Sequence, residues 1–208
     1  VAKSNLEVAI KASLHAGKEI IRIYNDTKAD LELELKTDDS PLTVADRNAN
    51  EVILSYLSQT SFPVLSEEGG EFPYEVRKDW ALFWMVDPLD GTKDFLRRNG
   101  EFTVNIALIS NREPVLGVIY IPDRQVLYFA EKGSGAFKIT DVVWNDAADW
   151  NKLLLQAVKL PLPMYREGVI VASSRSYVNV HVAAFVDNLR EQGSEVTLLV
   201  CGSSIKLC

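Results

Sequence analysis

WMVDPLDGTKDF, residues 84–95, joins an apolar segment to two aspartates that stand three positions apart. The apolar run at 81–86 has the length of a buried strand, and Asp87 and Asp90 follow it. Acids at the end of a buried segment cost free energy unless a partner or a cation compensates their charge. The order Asp-Pro-Leu-Asp-Gly-Thr therefore predicts a functional site as well as a strand end.

Hydrophobic periodicity predicts two helices followed by a mostly antiparallel sheet over residues 1–140. Apolar residues recur at helical spacing in 4–24 and 40–57, whereas later segments alternate at the period of a strand. The predicted strands lie at 31–36, 62–68, 81–86, 102–108, 114–121, 125–131 and 133–138. Two helices packed on one sheet form an α+β layer pair, which we expect to be a metal-binding domain.

The second part of the chain has a different order of elements. Residues 141–167 break the pattern, and we interpret them as an excursion or linker. A buried strand at 168–174, a helix at 181–192 and a strand at 195–200 then predict a parallel pair. We interpret 168–208 as the start of a C-terminal α/β domain that is truncated in this chain. Because the chain starts at a valine and stops inside a predicted helix, we expect residues to be missing at both ends.

Composition limits the possible partners. The 22 basic and 29 acidic residues give a net charge of −7, which argues against binding nucleic acid through a basic surface. No apolar run is long enough to span a bilayer, so no integral membrane segment is predicted. The two cysteines form no CxxC pair, which indicates a reducing compartment and a cytoplasmic protein. The oligomeric state is left open.

Carboxylates that follow neighbouring strands suit a magnesium site. Asp87 and Asp90 stand at i and i+3 across a proline, and the carbonyl of Leu89 would be exposed in such a turn. The pair Glu67-Glu68 follows another predicted strand. Mg²⁺ takes oxygen ligands in an octahedron and usually keeps several waters. Two such cations could activate a water and stabilise a leaving oxygen in a phosphate ester.

The Gly-Thr pair narrows the choice among phosphate chemistries. Gly91 permits close backbone approach, and the Thr92 hydroxyl can orient a water. Haloacid-dehalogenase-type phosphatases also carry Gly-Thr after an acidic pair, but their two acids stand two residues apart rather than three. A glycosyltransferase could use clustered aspartates, but the Gly-Thr would then have no explanation.

Helix capping is the competing interpretation of these polar residues. Asp87 and Asp90 could cap a turn or the following helix, as aspartates commonly do. Thr43 and Asp46 have the spacing of a capping box, and Ser203 and Ser204 could cap the last helix. Lys36 and similar cations are predicted to be solvated. Those at 93, 97 and 98 lie beside the motif and could steer an anion.

The motifs together resemble the inositol-monophosphatase superfamily, and in particular its 3'(2'),5'-bisphosphate nucleotidase branch. The resemblance covers nearly the whole chain. It rests on LKTDDSPLTVAD (35–46), VLSEEGG (64–70), WMVDPLDGTKDFLRRNGEFTVNIALI (84–109), EPVLGVIY (113–120), SSRS (173–176) and CGSSIKLC (201–208). It implies a layered α-β-α-β-α fold and a lithium-sensitive phosphomonoesterase that uses two or three Mg²⁺ ions. The expected reaction removes the 3'-phosphate of adenosine 3',5'-bisphosphate, a small phosphorylated nucleotide.

The resemblance also assigns roles to individual residues. Asp46 and Thr92 would orient the attacking water, which adds catalysis to the capping interpretation of Asp46. The implied metal ligands are Glu67, Asp87, Asp90 and the Leu89 carbonyl. The implied substrate-binding residues are Glu67, Leu89, Asp90, Gly91, Thr92, Ser203 and Ser204.

Three alternatives stay open at this stage. The substrate could be an inositol monophosphate, or the protein could be a non-catalytic relative that binds metal or nucleotide. The family's further metal-binding aspartate, in a Trp-Asp element, has no counterpart before Cys208, so we expect it to follow. The resemblance also allows a peripheral position at the inner face of the cell membrane.

Overall fold

The structure is a computed structural model that describes residues 4–26, 31, 33–36, 41–70, 72–142, 149–163, 168–175 and 180–208. The helices are α1 (Asn5–Asn25), α2 (Val44–Leu57), α3 (Tyr74–Arg77), α4 (Thr92–Leu96), α5 (Trp150–Leu154) and α6 (Val180–Glu191). The first strands are β1 (Glu34–Leu35), β2 (Pro41–Leu42), β3 (Val64–Ser66), β4 (Leu82–Asp90), β5 (Thr103–Ser110) and β6 (Glu113–Ile121). The remaining strands are β7 (Val126–Glu131), β8 (Gly135–Ile139), β9 (Val158–Lys159), β10 (Val169–Ser174) and β11 (Val196–Cys201). A 3₁₀ helix, Ser203–Leu207, follows β11.

Helices α1 and α2 pack together on one face of a seven-stranded sheet. Each starts at a side-chain cap, Ser4 for α1 and Thr43 for α2. The buried apolar residues of both helices belong to one core cluster with Trp84 and Phe102, which are themselves fully buried. Burial of this apolar surface is the main stabilising contribution to the layer pair, and it fixes where α2 begins relative to the sheet.

The sheet has the strand order β3-β4-β5-β6-β7-β8-β9 and is antiparallel except for the pair β3 and β4. The prediction of a mostly antiparallel sheet is therefore confirmed. The prediction that the strand ends where Asp87 begins the motif is wrong, because β4 continues through Asp87 to Asp90. A register shift between Asp87 and Asp90 bends the strand there. Such an irregularity aims side chains away from a regular ladder.

Two other predicted elements differ in extent. Within the described part of 31–36, only Glu34–Leu35 forms a strand, and both residues are exposed. This short strand pairs with β2 rather than with the main sheet. Strand β9 lies in the predicted excursion at 141–167 and pairs with β8, so part of that segment extends the main sheet. The division of the chain into domains stays a prediction.

Strands β10 and β11 form a separate parallel pair, as predicted, and α6 connects them. The prediction that residues 168–174 form a buried strand is wrong for its first half, since Val169 and Ile170 are each 39% exposed. The predicted last helix is a 3₁₀ helix of five residues. None of the helices in the described ranges is both long and apolar enough to cross a membrane.

Candidate active site

The two residues predicted to orient a water are in direct contact. Thr92 Oγ1 donates to Asp46 Oδ1 at 3.0 Å, although the residues are 46 positions apart. Thr92 opens α4 at the end of β4, and Asp46 lies in the first turn of α2. Helix packing on the sheet therefore brings the two together, and the contact supports their pairing.

Asp46 also closes the capping box that the spacing predicts. Its Oδ2 accepts hydrogen bonds from the Thr43 backbone N–H at 2.8 Å and from Thr43 Oγ1 at 2.5 Å. One carboxylate oxygen thus serves the helix and the other serves Thr92. Burial raises the pKa of Asp46, and the hydrogen bonds from Thr43 and Thr92 oppose that rise.

Asp87 is a largely buried carboxylate that forms no ion pair with a cation of the described residues. Burial, together with the charges of Glu67 and Asp90, raises the pKa of Asp87 to about 8. Glu67, which directly follows β3, and Asp90, at the end of β4, therefore repel the charge of Asp87. A divalent cation would relieve that repulsion, so the charge at this place suits a metal.

Glu67 forms an ion pair with a lysine in this structure. Lys36 Nζ lies 2.7 Å from Glu67 Oε1 and 2.5 Å from Glu68 Oε1. Burial lowers the pKa of Lys36, but the two carboxylates hold it above its usual value. The prediction that Lys36 is a solvated charge is therefore wrong. Its partners lie more than 30 residues away along the chain, so no local pattern indicates the contact.

The side-chain amide of Asn105 lies beside these carboxylates and adds another oxygen atom to the group. Ser204 Oγ donates to Asp90 Oδ2 at 2.6 Å, and Asn105 Nδ2 donates to Ser204 Oγ at 2.9 Å. The Oδ1 atom of Asn105 is buried and has no hydrogen-bond partner among the described residues. Buried acceptors are almost always satisfied, so this oxygen is suited to a water or to a cation's hydration shell.

The oxygen donors fit Mg²⁺ chemically, although they do not yet enclose an ion. Among the residues that the structure describes, no three Asp, Glu, His or Cys side chains are arranged to hold one metal. Mg²⁺ is usually bound by one or two protein carboxylates and keeps several waters. The unsatisfied oxygen of Asn105 and the raised pKa of Asp87 are consistent with such a hydrated ion.

The backbone around the Gly-Thr pair is tightly constrained. Gly91 has φ of 97°, and a Cβ added there would lie 2.8 Å from the Glu101 carbonyl and 3.1 Å from Ser203 Cβ. Only glycine fits this turn without strain. The carbonyl of Leu89 accepts from Thr92 Oγ1 at 3.2 Å, so the hydroxyl can donate either to Leu89 or to Asp46.

The serine pair makes hydrogen bonds within the protein that the sequence did not predict. Ser203 is buried with a left-handed φ of 47°, and its hydroxyl accepts from the Ile205 N–H at 3.4 Å. Ser204 directs its hydroxyl to Asp90 rather than outward. The pair therefore places a side chain on a predicted metal ligand, and its contact with substrate stays a prediction.

A cavity of about 480 Å³ lies beside Glu67, Asp90 and the Gly-Thr pair. Asp90, Gly91, Thr92 and Ser203 form part of its wall. Two cations, Lys93 and Lys206, also line it. The cavity therefore combines a carboxylate group with positive charge, which suits a metal-assisted reaction of an anion.

Comparison with known proteins identifies the family. The model of the inositol monophosphatase family matches residues 2–208. The chain belongs to this family. It is similar to the 3'(2'),5'-bisphosphate nucleotidase CysQ of Salmonella typhimurium, with 39% identity over 98% of this chain and 75% of the relative. The CysQ protein of Escherichia coli K12 is 37% identical over the same shares of the two chains.

Solved structures of family members agree with the fold. The crystal structure of CysQ from Bacteroides thetaiotaomicron matches with a TM-score of 0.86 and 45% identity, over 98% of this chain and 74% of that one. SuhB from Bartonella henselae matches with a TM-score of 0.71 and 29% identity, over 95% and 70% of the two chains. The predicted family and the layered fold are confirmed.

Some contributors to the site were not predicted from the sequence. Asn105 was assigned only to an alternating strand, and Glu101 was assigned no role. Asn105 stands opposite Asp87 in the ladder between β4 and β5. That cross-strand position would have indicated its place, had the register of the two strands been known.

Proposed function

We propose that this protein is a Mg²⁺-dependent 3'(2'),5'-bisphosphate nucleotidase that converts adenosine 3',5'-bisphosphate to AMP. The contact between Thr92 and Asp46, beside the carboxylates Asp87 and Asp90, is the observation that carries the proposal. The similarity to CysQ proteins along nearly the whole chain supports the choice of substrate.

Glu67, Asp87, Asp90 and the Leu89 carbonyl would hold two or three Mg²⁺ ions. Bound Mg²⁺ supplies charge to the phosphate oxygens and lowers the pKa of water. Lys36 contacts Oε1 of Glu67, so Oε2 is the oxygen that would serve this role without breaking that contact. Ser204 fixes one oxygen of Asp90 and leaves the other available.

Thr92 and Asp46 would accept the proton that the attacking water releases. When Thr92 donates to Asp46 Oδ1, the lone pairs of its hydroxyl oxygen are free to accept a proton from water. The hydroxyl proton can then pass to Asp46 Oδ1. The raised pKa of Asp46, caused by burial, favours that transfer.

Positive charge on the cavity wall explains how an acidic protein takes an anionic substrate. The net charge is −7, yet Lys93 and Lys206 line the cavity over Asp90. Local cations of this kind attract a phosphorylated ligand even where the overall charge opposes it. Gly91 and Thr92 also line the cavity, and their backbone N–H groups would donate to the phosphate.

A phosphate-release assay tests the proposal. Purified protein with Mg²⁺ is given adenosine 3',5'-bisphosphate or inositol 1-phosphate at matched concentrations, and the nucleotide product is separated by chromatography. We expect a higher kcat/KM for the nucleotide and AMP, with its phosphate at the 5' position, as product. Asp90→Asn is the inactive control, which excludes a contaminating phosphatase.

Other outcomes would change the assignment. Equal or reversed preference would replace the nucleotide by an inositol phosphate. Magnesium binding without hydrolysis of either substrate would favour a non-catalytic relative. A cytoplasmic location stays a prediction.

A further inference from the structure

A buried carboxylate outside the metal-binding motif joins two parts of the fold. Glu101 lies between α4 and β5 and is 9% exposed. Arg175 donates to it through two nitrogens, with Nε 3.1 Å from Oε2 and Nη2 2.9 Å from Oε1. The backbone N–H of Gly202 donates to Glu101 Oε2 at 2.7 Å. Paired donors of this kind fix geometry as well as charge.

These donors come from the ends of the two parallel strands. Arg175 directly follows β10, and Gly202 directly follows β11. Arg175 Nη2 also donates to the carbonyl of Val200 in β11, at 3.4 Å. Glu101 belongs to the main sheet region, so one carboxylate holds the ends of β10 and β11 against that region.

Close packing leaves the turn after β11 little freedom. A Cβ added at Gly202 would lie 2.2 Å from Asp94 Oδ2 and 3.1 Å from the Glu101 carbonyl. Asp94 is itself held by Asn99 Nδ2, which donates to Asp94 Oδ1 at 2.6 Å. The backbone at 202 therefore fits one position, between Asp94 and Glu101.

The position of this turn determines the contact that reaches the metal-binding group. Ser204 follows Gly202 by two residues and donates to Asp90 Oδ2 at 2.6 Å. A hydrogen bond is lost when its atoms separate by much more than 3.5 Å. A shift of about 1 Å at the turn would therefore free Asp90 from Ser204.

We propose that Glu101 is a positioning residue of the active site, which acts through Arg175 and Gly202 to hold Ser204 on Asp90. The inference rests on the proposed function only where it takes Asp90 to be a metal ligand. The contacts that orient metal ligands commonly change metal affinity by about 10–100-fold when they are removed.

Glu101→Gln tests the proposal, because it keeps the size of the side chain and removes its charge. We expect faster amide hydrogen exchange at Gly202 in the metal-free protein. We also expect Mg²⁺ affinity, measured by calorimetry without substrate, to fall by about 10-fold or more. The matched control is Glu113→Gln, which breaks an exposed ion pair with Lys132 far from the cavity and should change neither quantity.

A double-mutant cycle separates positioning from stability. Ser204→Ala should weaken Mg²⁺ binding in the wild-type background and have little further effect in the Glu101→Gln background. All measurements are made well below the Tm of each variant. Arg175→Lys provides a second test if Glu101→Gln fails to fold, because it keeps the charge and loses the paired geometry. Like Glu101→Gln, it should make amide hydrogen exchange at Gly202 faster and Mg²⁺ binding weaker.

Two results would overturn the proposal. One is a lowered Tm with unchanged Mg²⁺ affinity, which indicates a role in stability alone. The other is an equal effect of Ser204→Ala in both backgrounds. Because the binding measurements use no substrate, failure of the proposed nucleotidase activity would leave them interpretable.

Discussion

Thr92 Oγ1 and Asp46 Oδ1, which are 3.0 Å apart, connect the end of β4 to the start of α2. The same carboxylate caps α2 through its other oxygen. Capping and catalysis were competing interpretations of Asp46, but the geometry allows both at once. The capping bonds hold the carboxylate in place, and the remaining oxygen is directed to Thr92.

Asp46→Asn and Thr92→Ala should each lower kcat by about 10²–10⁴-fold, because each removes part of the proton path from the attacking water. The double variant should be little worse than either single one, since the two residues act as a unit. Steady-state kinetics of phosphate release, with Mg²⁺ binding measured in parallel, checks this expectation. Mg²⁺ affinity should stay close to that of the wild type.

Loss of the helix cap must be separated from loss of catalysis in these variants. Ser4→Ala removes the cap of α1, which accepts from the Glu7 N–H at 3.1 Å, and lies outside the proposed site. It should lower the free energy of unfolding by about 1 kcal/mol and leave kcat unchanged. Full activity in Asp46→Asn, with only a comparable loss of stability, would remove Asp46 from the catalytic residues.

Asp90→Asn should abolish phosphate release and weaken Mg²⁺ binding, because it removes a charge from the predicted metal ligands. The amide can still accept from Ser204, so the local hydrogen bond is not the cause of the loss. Calorimetric titration of the metal-free protein with Mg²⁺ measures the effect directly. Asp187→Asn, an exposed position on α6, is the control, and wild-type Mg²⁺ affinity in Asp90→Asn would exclude Asp90 as a ligand.

The elements with a clear period were predictable from the sequence. The helices at α1, α2 and α6 and the strands β5, β6 and β7 have strong apolar periodicity, and their predicted extents agree with the structure within a few residues. The exposed Val169 and Ile170 show the limit of such patterns. An apolar run indicates that a segment can be buried, but it does not show what covers it.

The sequence predicted those parts of the site whose residues form a short local motif. It did not predict the contacts between residues that are distant along the chain. The order of residues 87–92 indicated the group that lies around Asp90, and the spacing of Thr43 and Asp46 indicated the capping box. Lys36 reaches Glu67 and Glu68 across more than 30 residues. Its contact depends on tertiary packing, which no short pattern encodes.

The Glu101 ion pair should make stability depend on acid pH. Burial raises the pKa of Glu101, but hydrogen bonds from Arg175 and the Gly202 N–H outweigh it and hold the pKa below its usual value. A depressed carboxylate pKa stabilises the folded state above the unfolded pKa, and this contribution is lost as pH falls through the folded pKa. Wild type should therefore be more stable than Glu101→Gln at neutral pH.

Urea denaturation of both proteins over a series of pH values measures this difference. The gap in the free energy of unfolding should be constant at neutral pH and should close below the usual pKa of glutamate, near 4.5. A gap that stays constant down to the most acidic pH at which both proteins fold would show that Glu101 carries no such linkage.

Asp87 should not become phosphorylated during turnover, unlike the nucleophile of a haloacid-dehalogenase-type phosphatase. It lies at a register shift in a strand that is antiparallel to β5, and nearby Glu67 and Asp90 repel an incoming phosphate unless cations intervene. A water positioned by Thr92 and Asp46 is therefore the expected nucleophile. Mass spectrometry of the protein quenched during turnover, and incubation with beryllofluoride, should show no adduct on Asp87, whereas lithium should inhibit phosphate release. A phosphorylated Asp87 peptide that disappears in Asp87→Asn would overturn the water mechanism.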